Sequence, residues 1–279
     1  MIIDFHTHVF PPRVRQKRRQ YIERDPCFAL LYDQKEAKIA TAEELIESMD
    51  QAGVDVSVIV NLGWMTHELC TETNDYILES IARYPRRLIG FCTVQPQSLD
   101  AAIAEIERCA RSGARGIGEM RPDVQLLDLE DEAIIAPFMA AIKQHNLILL
   151  THTSEPVGHD YPGKGIITPD VLYPLITRYT EVNIVCAHWG GGLPFYALMP
   201  EVPKALRNVY FDTAASPFLY QPQIYALVSQ LVGADKILFG SDYPLLPQTR
   251  LLQEIKATTL TNEEKSLITG ENARKLLGL

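Results

Sequence analysis

Short apolar runs rich in β-branched residues recur along the whole chain, and most are followed by a stretch with apolar residues at helical spacing. Eight such runs begin at Ile2, Val56, Leu88, Arg115, Leu147, Asn183, Asn208 and Ile237. From Val56 onward the starts lie 25 to 36 residues apart, close to the roughly 30 residues of a parallel strand and its crossover helix. The pattern predicts an α/β fold, a single (β/α)8 TIM barrel over residues 1–279. An open doubly wound sheet is the runner-up, but nothing in the chain resembles its GxGxxG turn.

Local signals fit the alternation. Thr41 with Glu44 forms a capping-box pattern, and Gly53 supplies a stop after Leu45 and Met49. Ser98 is expected to cap a helix over Leu99–Arg111, Thr168-Pro169 to open another, and His145-Asn146 to close a third. The first interval, 54 residues, is too long for one crossover, so Pro11 to Ala40 reads as an insertion after strand 1. It carries the basic run Arg13, Arg15, Lys17, Arg18, Arg19. The run fits either a solvated surface or interface element, or an anion-attracting lid over the barrel mouth.

Composition narrows the class. With 47% hydrophobic and 22% charged residues the chain has ample material for a core. Its net charge of −9 argues against nucleic acid or an anionic membrane as partner. Five scattered cysteines without a CxxC pair indicate neither a disulfide framework nor a zinc ribbon, and suit the cytoplasm. No apolar window is long enough to span a membrane, and no export signal is expected. Barrels of this kind often self-associate, so a homo-oligomer is a possible partner state that the sequence leaves open.

Four of the seven histidines fall at the C-terminal ends of predicted strands, the catalytic face of a barrel. In Asp4-Phe5-His6-Thr7-His8 the two imidazoles are two residues apart on an extended strand and so share a side. His152 ends the apolar run Leu147–Thr151, His188 ends Val182–Ala187, and Asp242 ends Ile237–Ser241. Neutral imidazoles and carboxylates gathered at one mouth suit Zn²⁺ or another divalent first-row ion in an open site that keeps a water. Glu119, ending Arg115-Gly-Ile-Gly, is a candidate bridge to a second ion or a partner for a ligand histidine. Arg121 is a candidate for a substrate carboxylate, and Trp64, Trp189 and Tyr243 for the walls of a planar pocket. Asp4 shares a side with His6 as a supporting carboxylate, and Asp212 reads as an ordinary buried one.

These motifs together resemble the amidohydrolase superfamily, in the amidohydrolase-2 branch related to aminocarboxymuconate-semialdehyde decarboxylase. They are HxH at strand 1, Thr151-His152 at strand 5, Ala187-His-Trp-Gly-Gly-Gly at strand 6 and Phe239-Gly-Ser-Asp-Tyr-Pro at strand 8, with the ending Gly270-Glu-Asn-Ala-Arg-Lys-Leu-Leu-Gly-Leu. The resemblance implies that His6, His8, His152 and Asp242 hold one essential metal ion, with His188 as general acid/base and Asp242 as a proton shuttle. The leading expectation is a metal-dependent hydrolase in which metal-activated water attacks a small carboxylate-bearing lactone, amide or ester. The alternative is a metal-dependent non-oxidative decarboxylase of an aromatic or unsaturated acid. A two-metal phosphodiesterase is disfavoured by the charge.

Overall fold

The computed structural model describes residues 1–279. Its strands are β1 (Ile3–His8), β2 (Val56–Val60), β3 (Leu88–Cys92), β4 (Gly116–Met120), β5 (Ile148–Thr151), β6 (Ile184–Cys186), β7 (Val209–Asp212) and β8 (Ile237–Leu238). Each starts within one residue of its expected position. They pair in parallel in sequence order. Backbone bonds across the seam bring the two ends together: Phe5 N donates to Phe239 O (2.7 Å), Asp242 N to His6 O (2.9 Å) and His8 N to Tyr243 O (2.7 Å). The result is a (β/α)8 barrel.

The surrounding helices form where capping and periodicity place them, with two exceptions. Thr41 caps the helix Ala42–Ala52 through a capping box, and Gly53 closes it in the left-handed conformation at φ 71°. Pro169 opens Pro169–Arg178, and His145 ends Glu132–Gln144. Ser98 does not act as a cap: it lies in a 3-10 turn, and the helix begins at Asp100, whose charge suits the N-terminal end. The segment between β6 and β7 also departs from the barrel pattern. It is built from short turns, Leu193–Leu198 and Val202–Ala205, in place of a full crossover helix.

Two apolar layers position everything else. Strand side chains facing outward, among them Ile59, Ile117, Leu149, Ile184 and Phe211, pack with the helices in one cluster. Inward-facing Ile3, Phe5, Val58, Phe91, Leu150, Val185 and Leu238 fill the barrel, with Ala273 and Leu277 of the last helix (Asn272–Leu277) joining them at its floor.

Above that floor, two strands change parity. On β1 the inward residues are Ile3 and Phe5, yet His6 and His8 also reach the interior. An irregularity in the β1–β2 register between Asp4 and Thr7 accounts for the switch. β4 has the same device between Ile117 and Met120. Both Ile117 and Met120 pack outward, and Glu119 turns in. One consequence corrects the expectation for Asp4. It lies on the opposite side from His6 and accepts from Ser241 N (2.9 Å), Ser241 Oγ (2.6 Å) and Gln248 Nε2 (2.7 Å), bracing the turn that carries Asp242.

The insertion folds into three short helices, α1 (Pro12–Gln16), α2 (Arg18–Arg24) and α3 (Pro26–Tyr32). Its basic run is mostly paired at the surface. Arg13 meets Glu72, Arg15 meets Glu44 and Arg19 meets Glu23, while Arg18 donates to the carbonyl of Tyr32 at 2.7 Å. No helix is long and apolar enough to cross a membrane.

Candidate metal centre

At the C-terminal mouth, β1, β4, β5, the turn after β6 and the turn after β8 deliver His6, His8, Glu119, His152, His188 and Asp242 to one place. The four histidines and Glu119 are buried, and Asp242 is nearly so. Glu119 stands at the centre. Its Oε2 lies 3.7 Å from His6 Nε2 and 3.6 Å from His8 Nε2, and its Oε1 lies 2.9 Å from His152 Nδ1 and 3.5 Å from His188 Nε2. Asp242 Oδ1 is 3.3 Å from His8 Nε2 and 3.9 Å from His6 Nε2. His6 Nε2 and His8 Nε2 are themselves 3.0 Å apart.

The outer nitrogens fix which face each ring presents. His6 Nδ1 is 2.8 Å from Asp212 Oδ2, and His188 Nδ1 is 3.1 Å from Ala214 O, an acceptor only. Each Nδ1 therefore carries a proton, which turns each Nε2 toward the carboxylates. The Nε2 atoms of His6 and His188 then face the oxygens of Glu119 and Asp242. Such an arrangement calls for positive charge between them, which protonated rings or a bound ion supplies, and imidazole nitrogens with carboxylate oxygens are the donor set of a divalent first-row ion. The residues fit the metal that the sequence implies.

Charge shifts report the same demand. Burial opposes the charged form of His188, but its bond to Glu119 and the charges of Asp242, Glu119 and Asp212 outweigh it and hold the ring up at about 9. His6 is pushed up as well, against burial, by Asp212 and Glu119. Glu119 lies well below the ordinary carboxylate range and Asp242 at about 2, because their histidine partners overcome the cost of burial. His152 goes the other way, down to about 4, through burial and the nearby charge of Arg121. It is neutral at pH 7.

Asp212 does more than an ordinary buried carboxylate. It accepts from His6 Nδ1, from His188 N (2.9 Å) and from Ala214 N (3.0 Å), tying two mouth histidines to β7. Its place at a strand end, like the ligand candidates, was the available signal. His188 follows β6 in a run of left-handed residues from φ 56° at His188 to φ 92° at Gly192. A Cβ at Gly190 would stand 2.7 Å from the Phe211 ring, and one at Gly191 would collide with the Ser154 carbonyl. The glycines serve this close turn.

The remaining candidates separate. Arg121 is buried and gives Nε and Nη2 to Asp123 at 3.2 and 3.0 Å, and its charge reaches His152. Trp64 donates to Asn61 Oδ1 (2.7 Å) and stacks on Phe28 of the insertion. Trp189 is wholly buried, donating to Ser216 Oγ (3.0 Å) with its ring edge-on to Tyr225, so it packs in the shell. Tyr243 points to the outside, its hydroxyl 3.2 Å from Glu44 O on the neighbouring helix.

The chain belongs to the amidohydrolase family, whose model matches residues 3–279. It is 27% identical to a gamma-resorcylate decarboxylase of Rhizobium radiobacter over 76% of each chain. It is 23% identical to the 2-amino-3-carboxymuconate-6-semialdehyde decarboxylase of Dictyostelium discoideum, over 99% of this chain and 91% of the relative. Among solved structures, the 5-carboxyvanillate decarboxylase of Novosphingobium aromaticivorans, complexed with manganese and 4-hydroxy-3-methoxy-5-nitrobenzoic acid, superposes with a TM-score of 0.78. That match has 20% identity and covers 100% of this chain and 96% of the other. The chain is thus an enzyme of the amidohydrolase superfamily, and the relatives just named are decarboxylases. The expectation of a hydrolase is corrected by these relatives, none of which is a lactone, amide or ester hydrolase.

Proposed function

We propose that the protein is a metal-dependent, non-oxidative decarboxylase of an aromatic or conjugated carboxylic acid. The observation that carries this reading is the largely buried ring of imidazole nitrogens and carboxylate oxygens at the barrel mouth, in a chain similar to decarboxylases of such acids. His6, His8, His152 and Asp242 would hold the ion, with Glu119 between them. Manganese, present in the 5-carboxyvanillate decarboxylase, is a candidate beside zinc. When bound, a divalent ion supplies Lewis-acid attachment for the substrate carboxylate and a neighbouring oxygen.

The chain's own groups would do the rest. Asp212 and the Ala214 carbonyl hold the His6 and His188 rings in orientation. Arg121, already neutralised in part by Asp123, contributes a charge near His152 that suits an anionic substrate. His188 Nε2, which faces the site, would deliver a proton. As the bond to the carboxyl carbon breaks, its electron pair stays on the ring carbon and takes this proton, and CO₂ leaves. No net water is consumed.

Manganese-loaded protein incubated in D₂O with a panel that includes 2,6-dihydroxybenzoate, the substrate named for a structural neighbour, tests the reading. The expected result is one CO₂ per arene formed, with deuterium at the vacated carbon. Turnover of esters, lactones or amides with no CO₂ from any acid would overturn it.

A further inference from the structure

Helix α3 is held over the mouth from several sides. Asp25, its N-cap, is buried and uses both oxygens, accepting from Phe28 N and from Met65 N in the loop after β2, each at 2.8 Å. Leu31 lies against the loop after β5, where a Cβ on Gly163 would stand 2.9 Å from its Cδ2. Tyr32, the last residue of α3, stacks on Phe28 with centroids 4.7 Å apart and planes at 22°. Phe28 in turn stacks on Trp64 at 5.5 Å and 15°. Phe10 meets Tyr32 and Trp64 edge-on, at 5.3 and 6.3 Å.

This row of rings ends at Tyr32, which keeps 8% of its surface exposed. Its hydroxyl has no hydrogen-bond partner in the protein, although a tyrosine so deeply placed ordinarily finds one. After burial itself, the charge of Asp242 is the largest influence raising its pKa, followed further down by Glu119. Phe10, whose ring meets Tyr32, lies two residues beyond His8, and Leu31 meets the loop that follows His152, so the end of α3 lies at the mouth beside the metal centre, in keeping with the charges that reach its free hydroxyl.

Building on the decarboxylase reading, we propose that Tyr32 is a substrate-positioning residue that selects flat aromatic acids. Its ring extends the Trp64–Phe28 row to form a wall for the substrate ring, and its hydroxyl donates to a polar substituent on that ring. The insertion then serves specificity, and the part of it that matters is α3, not the basic run.

Calorimetry on the manganese-loaded protein with salicylate, benzoate and cyclohexanecarboxylate tests this. Wild type is expected to prefer the two flat acids. Tyr32→Phe should weaken salicylate about three- to tenfold and leave benzoate within twofold, as the loss of one neutral hydrogen bond does. Tyr32→Ala should erase the preference for flat rings, with metal content unchanged. A wild type that binds none of the three acids or does not discriminate among them overturns the proposal, as does a Tyr32→Phe variant that binds all three as wild type does. If Tyr32→Ala does not fold, the Phe variant decides. A wild type that releases CO₂ without discriminating among the acids refutes only the role of Tyr32, while a wild type that discriminates without any CO₂ release refutes only the chemistry.

Discussion

At the floor of the barrel the inward side chains are Ile3, Phe5, Val58, Phe91, Leu150 and Val185; a residue or a few further along β1, β5 and the end of β6 they are His6, His8, His152 and His188. The floor needs only apolar volume, so it is tolerant in chemistry and intolerant of voids. The mouth is the reverse. It buries carboxylates and imidazoles that must satisfy one another, and His6, His188 and the turn carrying Asp242 are braced by Asp212, the Ala214 carbonyl and Asp4. Stability and chemistry are thus stacked along the same strands, and β1 and β4 pass from one regime to the other through a register irregularity.

Substitutions at the two levels should therefore separate. The largest effect is expected at the proposed proton donor: His188→Asn should lower the rate of CO₂ release by about 10²- to 10⁴-fold with the thermal midpoint little changed. A steady-state assay beside a melting curve checks both halves. Next, Asp212→Asn should cost about 10- to 100-fold in metal affinity, measured by competition with a chelating dye, because the proton on His6 Nδ1 loses its charged acceptor. At the floor, Phe5→Ala should destabilise the fold by about 3–5 kcal/mol in denaturant titration while the protein that remains folded keeps its metal stoichiometry. The smallest effect is expected outside both levels. Thr41→Ala removes a capping box and should cost about 1 kcal/mol, with no change in kcat/KM. A Phe5→Ala protein that loses its metal while folded would break the separation.

Much of this was legible in the chain. Strand starts followed from apolar runs and their spacing, because parallel strands buried on both faces leave nearly continuous hydrophobic segments. His6, His8, His152, His188 and Asp242 were legible as strand-end polar residues. What was not legible is the parity switch in β1 and β4, since a register irregularity has no fixed residue signature. It misplaced Asp4 and left Glu119 as a side candidate when it sits at the centre of the site. The aromatic row through Phe28 and Tyr32 was also hidden, because an insertion of short helices carries too little periodicity to show which side faces the mouth. Aromatic type alone pointed to Trp189 and Tyr243, whose rings found partners in the shell. The reaction was open for a chemical reason, since the same ligand set serves hydrolysis and decarboxylation.

The central claim is that the mouth is a divalent metal site organised around Glu119. Elemental mass spectrometry of the protein purified without chelator and reloaded with manganese, beside Glu119→Gln and Asp242→Asn, tests it most directly. The account predicts about one tightly held ion per chain in the wild type and a marked loss in both variants, with the circular dichroism of all three alike. A wild type that retains no divalent ion after reloading, or variants that hold it as tightly as wild type, would contradict it.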